Sequence, residues 1–119
     1  MAITEFGKVV RKARIDANNV TLSSMAEELK TTSSFLSAIE MGRKRIPMEW
    51  VAKIESFFLK HNVKVNSLYE LADVANKSVV IEGLSPAQQM LVAGFARVNL
   101  DDAELEKFAE LLAANKKDV

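Results

Sequence analysis

The chain has no cysteine, a single histidine (His61), two prolines and four glycines in 119 residues. The missing cysteines exclude disulfides and thiolate metal sites and suit a reducing compartment. One histidine removes His-rich zinc sites and argues against a hydrolytic triad. No stretch approaches the roughly 20 apolar residues of a membrane span. The opening Met1-Ala2-Ile3-Thr4-Glu5 lacks the basic-then-apolar layout of a secretory leader. Net charge is absent too, since 16 Lys+Arg balance 16 Asp+Glu. The expectation is a soluble cytoplasmic protein, with no cofactor, metal or membrane partner, that is not an enzyme. With 49% hydrophobic residues, the length suits one compact domain, or a small domain with an oligomerisation appendage.

The balanced total hides an uneven spread. Residues 1–45 carry a net +3, residues 46–75 a net −1, and residues 76–119 a net −2. A basic front and an acidic rear suit a DNA-facing head with a solvated, partner-binding tail, although an excess of three charges also arises by chance.

Few glycines and prolines predict helices broken at a few points. Phe6, Val10 and Ala13 recur at helical spacing between Thr4 and about Ala17. After a turn at Asn18-Asn19-Val20, Thr21 is placed to cap a short helix that buries Met25, Ala26 and Leu29. Thr32 caps the next, with Leu36 and Ile39 inward, and Gly42 ends it in a left-handed conformation. Pro47 opens a fourth helix that turns Trp50 or Val51, with Ile54, Phe57 and Phe58, toward the core. Asn66 or Ser67 starts a fifth, holding Leu68, Leu71, Ala72 and Ala75.

Near 78–82 the run Val79-Val80-Ile81 reads as a short extended strand or an apolar strap. Ser85-Pro86 then opens a helix with Leu91, Phe95 and Val98, and Asp101 with Glu104 caps a last helix with Leu105, Phe108, Leu111 and Leu112. Residues 115–119 are expected to fray. A pair of helices covers only part of such apolar stripes on itself. Leu91, Phe95, Leu105, Phe108 and Leu112 are therefore expected to dimerise, the alternative being a single fused core in a monomer.

The most informative stretch is Thr21–Arg45: two short helices and a tight Lys30-Thr31 connection, with helix-turn-helix lengths. With Leu36 and Ile39 inward, Ser33, Ser34, Ser37 and Ala38 point outward. Small side chains at a helix start can sink into a major groove, where serine hydroxyls meet base edges and the Ala38 methyl meets a thymine methyl. The open N–H groups around Thr32–Ser34 favour a phosphate oxygen. Taken singly, these pieces are only a polar helix start and a solvated turn. Their joint order favours the functional reading.

The run Met25-Ala26-Glu27-Glu28-Leu29, then Ser34-Phe35-Leu36-Ser37-Ala38-Ile39-Glu40-Met41-Gly42-Arg43-Lys44-Arg45-Ile46-Pro47, resembles the Cro/cI-like (Xre) family of bacterial and phage transcriptional regulators. Phe6–Arg14 fits as well, and the likeness covers residues 4 to about 75. The resemblance implies an all-α, five-helix lambda-repressor-like domain at 1–75, binding operator DNA as a homodimer. The tail at 76–119 is similar, more weakly, to the dimerising helical tail of short phage-type repressors. By resemblance, Ser33, Ser34 and Ala38 stand at base-reading positions with Ser37 beside them. Arg43, Lys44 and Arg45 stand in a phosphate-contacting loop, and Arg14 and Glu40 stand where an ion pair joins helix one to the recognition helix, 33–41. The chain departs from the family in carrying Leu22 where Gln is frequent, and in having no Gln, Asn or Arg on the recognition face. Specificity would then lean on DNA shape, water or Arg43–Arg45. A second class of function stays open: an antitoxin or adaptor whose C-terminal helices capture a partner protein, with DNA binding as autoregulation.

Overall fold

A computed structural model describes residues 3–115. Seven α-helices follow one another: α1 (Glu5–Asp16), α2 (Leu22–Glu28), α3 (Ser33–Glu40), α4 (Met48–Lys60), α5 (Leu68–Asn76), α6 (Pro86–Arg97) and α7 (Asp102–Asn115). No strand occurs among the described residues, so the fold is all-α. The strand considered near 78–82 is therefore corrected. Residues 78–81 run as irregular chain with no ladder partner among the described residues, the Ser78 N–H going to the Asp73 carbonyl and the Ile81 carbonyl accepting from the Leu84 N–H and the Gln89 side-chain N–H. Of the segment expected to fray, 116–119 lies outside the described residues, and Asn115 is the last residue of α7.

Hydroxyl caps set the helix starts. Thr4, Thr21, Thr32 and Ser85 each accept a hydrogen bond from the backbone N–H three residues on, at 3.0–3.1 Å. Such a cap contributes about 1 kcal/mol. At α7 the cap is reciprocal: Asp101 accepts from the Glu104 N–H, and Glu104 accepts from the Asp101 N–H. Pro47 stands as the cap residue of α4, one position earlier than a first helical residue. Ser67 precedes α5 in the left-handed region, φ +60°, where its hydroxyl makes no cap.

The chain divides into two compact units after Val79, four residues beyond the boundary read from the sequence. The shift has a local cause within the first unit. The Asn76 side chain clasps the Ile46 backbone from both sides, at 2.7 and 2.9 Å, and the Ser78 hydroxyl accepts from Arg45 at 2.9 Å.

Within the first unit, α1 packs on α3 and α5, α2 on α3, and α4 on α5. Their shared core holds Phe6, Val10, Met25, Leu36, Ile39, Ile54, Phe57, Phe58 and Leu68. Of the two candidates at the start of α4, Val51 is fully buried, while Trp50 is half-buried at the edge.

The second unit is built differently. Neither α6 nor α7 buries a single residue. The two helices meet edge to face at Phe95 and Phe108, with ring centroids 5.0 Å apart. Helices of 12 and 14 residues are marginal in water without tertiary cover.

Candidate nucleic-acid interface

The outer face of α3 follows from its inner one. Leu36, Ile39 and Glu40 are buried, so the 3.6-residue period turns Ser33, Ser34, Ser37 and Ala38 outward. Ser33 and Ser34 are exposed, and Ser37 and Ala38 half-exposed. Thr32 is exposed, with its hydroxyl occupied by the Phe35 N–H. Short side chains leave this face low, which lets it approach a surface closely.

Gly42, at φ +74°, reverses the chain after α3. The Arg43 N–H then closes on the Ala38 carbonyl at 2.9 Å, and its guanidinium reaches back to the Ser37 hydroxyl at 3.5 Å. Lys44 sets its ammonium 5.9 Å from the centre of the Phe35 ring. Arg43 and Lys44 are thus gathered at α3. Arg45 is not, because its guanidinium turns to Ser78 beyond the end of α5.

Charge pairing separates the cations into two sets. Lys8 and Lys12 on α1 pair with Glu5 and Asp16. Arg43, Lys44 and Arg45 are exposed and form no ion pair among the described residues. A cation without a carboxylate partner keeps its full attraction for phosphate.

Behind this face lies a buried charge. Glu40, 2% exposed, pairs with Arg14, whose side chain is only 13% exposed. Arg11, half-exposed, reaches the other carboxylate oxygen at 3.4 Å. The Glu40 backbone carbonyl accepts from both the N–H and the hydroxyl of Thr4, at 3.2 and 3.0 Å. Both ends of Glu40 therefore tie the outward helix to α1. The sequence reading paired Arg14 with Glu40 and missed Arg11. Arg11 lies three residues before Arg14, on the same helix face, a spacing that could have revealed it.

Two further features escaped the sequence reading. The Phe35 and Trp50 rings meet at a tilt of 55° with centroids 4.9 Å apart, and Lys53 sits 4.5 Å over the Trp50 ring. This joins the flank of α3 to α4 through a ladder of two rings and two cations. Among the described residues, no group of three or more His, Asp or Glu side chains could hold a metal ion. An open groove of about 300 Å³ between α2 and α4 is lined by Glu28, Leu29, Lys53, Ser56, Phe57 and Lys60 among others. His61 borders α4 as its C-cap, 3.3 Å from Glu28 and against the Phe57 ring.

In the second unit, Leu91 and Leu112 stand well exposed, and Phe95, Leu105 and Phe108 remain more than two-fifths exposed. Of these five, only Phe95 and Phe108 are in ring contact with each other. No helix among the described residues is long and apolar enough to cross a membrane. Compared with protein families, characterised proteins and solved structures, the chain shows no match.

Proposed function

We propose that the protein is a sequence-specific, double-stranded-DNA-binding transcriptional regulator of the Cro/cI-like (Xre) kind. It acts as a repressor by occupying an operator as a homodimer, without chemistry. The supporting observation is the pairing of a low, hydroxylated α3 face with unpaired exposed cations at its C-terminal end. In this reading α2 and α3 form the helix-turn-helix, and α3 enters the major groove, where Ser33, Ser34, Ser37 and Ala38 meet base edges. The Thr32 end, Arg43 and Lys44 meet phosphates, while Arg45 acts through Ser78 or after releasing it. The second unit joins two copies, setting their recognition helices about 34 Å apart or a multiple of that.

Selection of preferred duplexes from random DNA, with the mass of the complex measured in the same sample, tests the reading. Enrichment of a two-fold symmetric site bound by two chains is expected. Ser34→Asp and Ala38→Asp should each abolish the preference, because a carboxylate in the groove meets acceptors and phosphates. Lys44→Ala should weaken all duplexes alike and flatten the salt slope by about one unit. No enrichment over shuffled DNA, or unchanged affinity after both acidic substitutions, would overturn the proposal. It would leave capture of a partner protein by α6 and α7 as the reading to pursue.

A further inference from the structure

Two glycines lie inside helices, and they sit in opposite surroundings. At Gly7 in α1 a Cβ would stand 2.2 Å from the Glu40 carbonyl oxygen, so glycine is required for α1 to approach α3. At Gly94 in α6 a Cβ would meet nothing within 4 Å. A mid-helix glycine costs helix stability relative to alanine, and at Gly94 no contact among the described residues gives a reason for it.

The position of Gly94 supplies one. The helical period puts Ala87, Met90, Leu91, Gly94 and Phe95 on one uncharged arc of α6, with Gly94 near its middle and Arg97 at its border. Phe108 of α7 meets the Phe95 ring edge to face. Met90 and Leu91 remain 74% and 73% exposed, and Val98 55%.

We propose that α6 crosses α6 of a second copy of this chain at Gly94, where the missing side chain lets the two backbones approach. This rests on the homodimer reading above and names its seam. Three observations favour a second copy over another occupant. In a two-fold contact, residues near the axis meet their own copies, so the centre must be uncharged and small. The centre of the arc, Ala87 and Gly94, meets both conditions.

Area also agrees. The large apolar side chains left open on the two stripes, Met90, Leu91, Phe95, Leu105, Phe108 and Leu112, amount to at most about 700 Å² per chain if each full side chain is given the roughly 200 Å² of an aromatic one. That is about one partner's share of a standard interface. Of the four acids of α7, Glu106 and Glu110 fall on the side of that helix away from Leu105, Phe108 and Leu112, while Asp102 and Glu104, in its first turn, flank the stripe. The apolar stripes of both helices can close into one four-helix core with Asp102 and Glu104 left at its rim.

Sedimentation equilibrium of the full chain, with Gly94→Ala and Gly94→Leu, tests the seam because the competing effects have opposite signs. If backbones meet at Gly94, the alanine variant should raise the dimer dissociation constant at least tenfold, and the leucine variant should leave monomer. Trp50 emission should be unchanged in both, reporting an intact first unit. If nothing approaches Gly94, alanine only improves the helix and tightens any coupled association, by roughly fivefold per chain. An unchanged or tighter dimer in Gly94→Ala overturns the inference and leaves the homodimer reading standing. A wild-type chain that is monomeric both free and on its selected duplex overturns the homodimer reading itself, and the seam with it.

Discussion

Replacing Glu40 by alanine removes the carboxylate that holds α1 to the outward helix and leaves Arg14 uncompensated. Arg14 has only 13% of its side chain exposed, so water can recover little of the lost interaction without a shift of α1. Breaking one partner of such a pair costs about 3–5 kcal/mol. The lower end is expected here, about 3 kcal/mol, because Arg14 retains an edge in solvent. Arg11 is half-exposed, and Arg11→Ala should cost about 0.5 kcal/mol, as exposed pairs do. A folded unit of this size is stabilised by roughly 4–12 kcal/mol, so Glu40→Ala removes a large share. Urea unfolding followed through Trp50, the sole tryptophan, reads the loss as a shifted midpoint at constant slope. Adding Arg14→Ala should recover about 1–3 kcal/mol of the Glu40→Ala loss, since no buried charge is then left alone. The Thr4 hydrogen bonds survive every variant, because they go to the Glu40 backbone carbonyl. Equal losses in Glu40→Ala and Arg11→Ala would refute the assignment of a buried, stability-bearing pair.

Gly7→Ala drives a methyl group into the Glu40 carbonyl, 2.2 Å away. Overpacking should outweigh the helix-propensity gain and destabilise the fold by about 2 kcal/mol, read by the same unfolding assay; a gain of about 1 kcal/mol would contradict the close approach. Asp73 has its carboxyl pKa raised above the usual 3.8, first by burial and second by the charge of Glu70. The folded state therefore holds this proton more tightly than the unfolded one, and the contribution of Asp73 to stability falls as pH rises from 3.8 through the raised value. Relative to wild type, Asp73→Asn should be stabilising above that window, with the advantage shrinking as pH drops through it. Melting temperatures across the acid range check this, and a difference independent of pH would refute it.

Much of the local structure was legible because its causes are local. Thr21, Thr32, Ser85 and Asp101 announce helix starts through bonds that reach only three residues. Leu36 and Ile39 likewise decide which way Ser33, Ser34, Ser37 and Ala38 face, because one helical turn fixes both sides. At the strap near 78–82 the same approach leaned too far, since β-branched composition does not supply a pairing partner.

The chain's order of residues alone determined seven helices, most of their caps and the inward faces of those in the first unit, all of which depend on neighbours within a turn or two. The three-dimensional arrangement decided everything that joins distant segments. It placed Arg11 on Glu40, 29 residues away, and Arg45 on Ser78, 33 residues away. It also brought the Glu40 carbonyl over Gly7, and left Gly94 facing open space. Contacts of that kind leave no periodic mark, because they arise from how helices pack.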